Sequence, residues 1–192
     1  KLFLRSRKNV IYINGSPTGR FNFIENLKAC SGKYIAICEG DDYWTDPLKL
    51  QKQIDFLEAN NEYSMCFHEV ELVDSNGDFM RYFNNFKSAQ TFSTIDLTQE
   101  NFIATASCVF RNEITIKNQF YKLPAVDWAL HILNAEKGKI KYLPESMAVY
   151  RIHEDGLWSS QSNKDMILNG ISIMKQIDEM LDFKYHNHFE IG

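Results

Sequence analysis

No stretch of this 192-residue chain approaches the ~20 consecutive apolar residues of a membrane-spanning helix, and no signal-peptide pattern is visible. Basic residues are not in excess either: 21 Lys and Arg stand against 25 Asp and Glu, a net charge of −4, with no basic stripe or cluster. That argues against a nucleic-acid partner. The four cysteines, Cys30, Cys38, Cys66 and Cys108, form no CxxC and no zinc-finger set with His. They read as reduced thiols of a cytoplasmic protein, with Cys38 and Cys66 acting as small hydrophobes inside apolar runs. Internal repeats and low-complexity segments are missing. So is an initiator Met: the chain starts Lys1-Leu2-Phe3-Leu4, inside what reads as a strand, and the expectation is that its true N-terminal portion is missing.

What is present is an ordinary globular composition rich in rings. Aromatics at 14% either build the core or line a sugar-binding cleft, and the length fits one domain. Residues 1–13 read as extended segments, 15–19 as a turn, and 21–30 as a helix with Phe23, Leu27 and Cys30 at helical spacing. The apolar run 33–38 predicts a strand buried on both faces. Thr45-Asp46-Pro47 then opens a helix carrying Leu50, Ile54 and Leu57, which fades at Asn60. Residues 64–73 return to strand and turn at 74–77, while 78–100 carry no assignable pattern and 102–110 read as a strand. A helix over 127–136 closes near Gly138, and strands follow at 139–143 and 146–153. Residues 164–182 predict an amphipathic helix with Ile167, Ile171, Met174, Ile177 and Leu181 on one side. Strands alternating with helices point to an α/β sandwich with a largely parallel sheet.

Chemistry concentrates where the 33–38 strand ends. In open α/β sheets, ligands gather beyond the C-terminal ends of strands, and Glu39, Asp41 and Asp42 stand there, three carboxylates in four residues. A divalent cation such as Mg2+ or Mn2+ would relieve their repulsion and bridge to phosphates. Glu39 and Asp41, two apart in an extended segment, face one side, and Gly40 lets the backbone come close to a ligand. The plainer alternative is an acidic entry loop, with Asp42 and Asp46 favouring the next helix's N-terminus.

The run GKYIAICEGDDYWTDPLKLQKQ, residues 32–53, resembles the metal-site region of family 2 glycosyltransferases, which carry a strand, a DxD or DxDD element and a helix opening with a "DP.KL" pattern. Glu39 stands where the first Asp is usual. Asp127, at the opening of a helix in the later half, resembles that family's catalytic base, with Val126 where a second acid is frequent. The segment SMAVYRIHEDGLWSS, residues 146–160, is similar to the end of the family's catalytic domain, where a His completes the metal site. Strand alternation places Arg151 and His153 on one face, and Gly156, Trp158 and the serines would form a loop over the donor.

The resemblance covers roughly residues 20–160. It implies a GT-A-type, Rossmann-like α/β/α sandwich with a mostly parallel mixed sheet, its N-terminal strands missing, over 1–160, with a C-terminal helix and tail, 161–192, packed on it. It further implies a sugar moved with inversion from a nucleotide-diphosphate donor, a UDP-sugar, to a saccharide or lipid-linked acceptor, in polysaccharide or glycolipid synthesis. Asp127 is then the base, Asp41 and His153 hold Mn2+ or Mg2+, and Glu39, Asp41, Asp42 and Arg151 meet the nucleotide. The location is cytoplasmic, with peripheral contact at the inner face of a membrane. Rival expectations are a sugar nucleotidyltransferase, an inactive nucleotide-sugar-binding module and a structural domain whose acidic loop binds nothing. Weaker candidates are Arg20 and Asn22 toward phosphate, and Thr105 and Ser107 alternating along a strand near the donor sugar. His68 has no obvious partner, and the His186/His188 pair reads as a solvated tail.

Overall fold

The computed structural model describes residues 12–13, 16–17, 19–116, 118–123, 125–154 and 162–189. Its elements are β1 (Tyr12–Ile13), β2 (Ser16–Pro17), α1 (Gly19–Lys28), β3 (Tyr34–Ala36), β4 (Tyr43–Trp44), α2 (Lys49–Ala59), β5 (Tyr63–Val73), β6 (Phe79–Tyr82), β7 (Gln90–Phe92), α3 (Thr94–Gln99), β8 (Val109–Arg111), α4 (Asp127–Ala135), β9 (Lys139–Arg151) and α5 (Asn163–Met180). Short 3-10 turns lie at Thr105–Ser107, Asn118–Lys122 and His186–His188.

Two long strands set the frame. β5 is buried along nearly its whole length, as its apolar run requires, and pairs in parallel with β9. Short strands line the outer edges of this pair: β8 and β6 on β5, β7 and β4 on β9, all antiparallel, and β3 adds beyond β8. The sheet is therefore mixed, and β5–β9 is its parallel pairing among the described residues, so the expected mostly parallel sheet is corrected. The direct reason is β8: it runs against both neighbours, which leaves β3 pointing the same way as β5 and β9 without pairing with either.

β9 replaces the two strands expected at 139–143 and 146–153. It runs unbroken, with a register shift that takes His68↔Leu143 to Glu69↔Ser146. Pro144, which has no N–H to give the ladder, falls in that bulge. At the start of β9, a Cβ on Gly138 would come within 2.8 Å of the Glu62 carbonyl oxygen, so only glycine lets the chain leave α4 so close to β5.

α4 packs the core from its N-terminal turn to its end, with Trp128, Leu130, Ile132 and Ala135 buried. Around it gather Ile24 and Leu27 of α1, Met65 and Phe67 of β5, Phe110 of β8, and Ile173, Ile177 and Met180 of α5. The apolar stripe of α5 is thus shifted from expectation: Ile167 is exposed, because the first turns of the helix reach beyond the core. Among the described residues no cysteine forms a disulfide; Cys66 and Cys108 are buried, but Cys38 is exposed beyond the end of β3. Among the described residues no helix is long and apolar enough to cross a membrane.

Candidate functional site

Strand direction brings the candidate residues to one pole. β3 ends and β8 begins near it, and β4 pairs Tyr43 and Trp44 with Val149 and Ala148, which brings the end of β9 to the loop after β3. α4 feeds back into the start of β9 at the far pole, so its N-terminus, Asp127, lies at the near one. The loop after β3 carries Glu39, Asp41 and Asp42, and the chain leaving β9 carries His153.

Two contacts close this arrangement. His153 Nε2 lies 3.1 Å from Asp41 Oδ2, across 112 residues of sequence. The Arg151 backbone N–H donates to Asp42 Oδ1 at 3.2 Å, while its guanidinium stacks over Tyr43 at 5.8 Å. Asp42 is only 8% exposed, and its Oδ2 is buried with no hydrogen-bond partner. Burial lifts its carboxyl to about 6, against the pull of the Arg151 N–H. Asp46, by contrast, is spent on helix entry, accepting from Leu48 N and Lys52 Nζ. The helix-entry alternative therefore holds for Asp46 and fails for Asp42.

Glu39 keeps solvent contact, yet nearby protein desolvates its carboxyl. Desolvation, then the charges of Asp127, Asp42 and Asp41, push it up to about 7, with a hydrogen bond from Thr105 opposing. Asp127 is thus near enough to feel the acidic loop. It accepts from Asn101 Nδ2 at 3.1 Å, and its neighbour Trp128 anchors the helix start by donating to Leu97 O.

Sequence reasoning missed what supports this pole. Lys49 is fully buried behind the acidic loop, its Nζ 2.8 Å from Gln53 Oε1 and 4.4 Å over the Trp44 ring, and burial lowers it to about 8. Gln53 donates to Ser107 O and Trp44 to Ala106 O, tying the 105–107 turn to the loop and α2. Asn101 and His131 were missed too; the four-residue spacing of His131 from Asp127 on one helix was the available signal.

One strand expectation is also corrected. Residues 102–110 are not one strand: Ser107 turns its hydroxyl onto Ala104 O, a local bond that competes with a ladder, and β8 starts only at Val109. Thr105 and Ser107 consequently do not alternate along a strand. Arg20 is tied to Leu123 O beside α1. His68 is buried, its Nδ1 on Glu69 O, and burial takes it down to about 3. His186 and His188 are exposed, as a solvated tail requires, and His186 also pairs with Asp178 Oδ2 at 2.6 Å. The loop with Gly156, Trp158 and Ser160 lies outside the described residues.

Among the described residues, no three His, Cys, Asp or Glu side chains form a cage that would hold a metal unaided. The donors do fit a cation that takes the rest of its shell from phosphate and water. Two ligands about 2.1 Å from an octahedral ion at right angles lie about 3.0 Å apart, close to the Asp41–His153 separation of 3.1 Å. The partnerless Asp42 oxygen adds unmet negative charge beside them.

No family model matches the chain. It is 38% identical over 172 residues to an uncharacterized protein of Mycobacterium tuberculosis, covering 88% of this chain and 49% of that protein. A protein of Nostoc sp. named an uncharacterized glycosyltransferase is 26% identical over 157 residues, 76% of this chain and 47% of its own. Another of that name, from Methanocaldococcus jannaschii, is 38% identical over 85 residues, 43% of this chain and 29% of its own. The chain spans about half the length of the mycobacterial and Nostoc relatives, and it is related to proteins named as glycosyltransferases.

Proposed function

We propose that this chain is the catalytic part of a metal-dependent, inverting glycosyltransferase of the family 2 type, with a GT-A-type sheet, moving a sugar from a nucleoside-diphosphate donor, a UDP-sugar, to a saccharide or lipid-linked acceptor. The single observation that carries this reading is the His153–Asp41 contact at 3.1 Å, which joins the acidic loop to the end of β9. Kinship to named glycosyltransferases supports the reaction class. Synthesis of a cell-surface polysaccharide or glycolipid, at the inner face of a membrane, is the setting that goes with it.

Asp41 and His153 would hold Mn2+ or Mg2+, the imidazole favouring Mn2+. When bound, the ion supplies charge neutralisation for the departing diphosphate. Asp42, held by the Arg151 N–H, adds to the negative field that draws the cation in, and the Arg151 side chain at the rim is free to turn from Tyr43 toward phosphate oxygens. Asp127 takes the acceptor hydroxyl's proton as the new glycosidic C–O bond forms on one face of the anomeric carbon. The bond to the diphosphate oxygen breaks on the other face, and its electron pair leaves with the nucleotide.

Calorimetric titration of the protein with UDP, GDP and CMP, with and without Mn2+, tests this. The expected result is tight binding of UDP only with Mn2+, weakened at least about tenfold by Asp41→Asn. Metal-independent binding that survives this substitution would defeat the site.

A further inference from the structure

Asp127 does not stand alone. Its Oδ2 accepts from Asn101 Nδ2 at 3.1 Å, and Asn101 Oδ1 lies 3.2 Å from His131 Nδ1. A carboxylate only accepts, so the Asn101 amide nitrogen must face Asp127 and its oxygen must face His131. The His131 ring nitrogen in that contact must therefore be the donor. We propose that His131 and Asn101 are positioning residues for Asp127: a one-directional relay, His131 Nδ1–H to Asn101 Oδ1 and Asn101 Nδ2–H to Asp127 Oδ2, that fixes the carboxylate and leaves Oδ1 to receive the acceptor's proton.

The surroundings make the relay directional and rigid. His131 is fully buried, one helical turn below Asp127 on α4, and its Nε2 has no partner. Burial pushes the imidazole down to about 4, so it stays neutral near pH 7 with its one proton placed where a partner exists. A buried imidazole with one satisfied nitrogen costs stability that a leucine would not, and its contact with Asn101 is what the structure gains in return. Asn101 follows α3, and Trp128 ties that helix to α4 through Leu97 O. Asp127 Oδ1 has no hydrogen-bond partner among the described residues. The relay itself takes up no proton; the acceptor's proton ends on Asp127.

This inference rests on Asp127 acting as the base, so two measurements separate the claims. The first needs no activity: 15N-edited NMR of the histidine rings. His131 is expected as the neutral Nδ1–H tautomer near pH 7, with that signature lost or mixed in Asn101→Ala. An Nε2–H tautomer in the unsubstituted protein overturns the relay, whatever the protein catalyses. The second is kinetic. Asn101→Ala and His131→Leu should each lower kcat roughly 10- to 100-fold with donor KM changed less than about twofold, and the double variant should lose no more than either. His131→Asn, whose amide nitrogen can stand in for Nδ1–H, should recover most of the rate. Equal losses in His131→Asn and His131→Leu, or additive losses in the double variant, reduce the pair to a packing role and overturn the proposal. If no transfer is found at all, the proposed function fails while the tautomer still decides the relay.

Discussion

The pole with the acidic loop and the C-terminal tail hold carboxylates of the same kind and treat them in opposite ways. Glu136, at the end of α4, would be raised by its burial, yet hydrogen bonds from Lys184, Tyr185 and Thr94 outweigh that and bring it below the usual range. The Lys184 and Tyr185 bonds lock the chain after α5 onto the end of α4, and the Thr94 bond ties α3 to the same carboxylate. Asp178 likewise holds His186. At the pole, Glu39 and Asp42 are raised by desolvation and by neighbouring carboxylates, and an Asp42 oxygen has no partner. Glu136 serves the fold with a cation and donors that the chain supplies, although Asp178 Oδ1 in the tail is also buried without a partner. Around the loop the chain supplies too few, which fits a site whose positive charge arrives with a ligand.

That contrast breaks most sharply if the two kinds of carboxylate respond alike to substitution. Asp127→Asn should lower transfer turnover by about 10²- to 10⁴-fold while Mn2+–nucleotide binding and melting stay near those of the unsubstituted protein, checked by steady-state kinetics and calorimetry. Glu136→Ala should do the reverse. Its loss removes partly exposed charge-assisted bonds worth about 1–2 kcal/mol, a melting temperature lower by roughly 2–8 °C, with calorimetric binding unchanged. A Glu136 variant that keeps its stability but loses the nucleotide would erase the distinction.

The same contrast tracks what the sequence made legible. The strand over 33–38, its acidic loop, α2 and α4 were readable because each carries its pattern locally: an apolar run, a turn signal, an apolar face at helical spacing. Asp41 and His153 were nameable as candidates, but their contact depends on β4 pairing with the end of β9, which no local pattern encodes. β6 and β7 were unreadable since they are short edge strands whose form comes from pairing with β5 and β9. Phe102–Phe110 misled because an apolar run also suits a buried loop fixed by small residues such as Ala104, Ala106 and Ser107. Asn101 was invisible for another reason: its amide gains meaning only from the Asp127 and His131 it sits between.

The smallest expected effect is also the most specific probe of crowding at the loop. Glu39 has an ordinary carboxyl in the unfolded chain, near 4.5, and is pushed up to about 7 in the folded protein. Folding therefore favours its protonated form, and that contribution, full below about pH 4.5, drains away as pH rises through 7. Glu39→Gln, neutral at every pH, should melt like the unsubstituted protein at pH 5 in EDTA. At pH 8 it should melt higher, on the order of 2 °C for a domain of this size. Mn2+ with the matching nucleotide should shrink the gap, because bound positive charge relieves the same repulsion in the unsubstituted protein. A gain equal at both pH values would mean that Glu39 is merely an ill-packed side chain, and the loop's charge would lose its claim to be held in reserve for a cation.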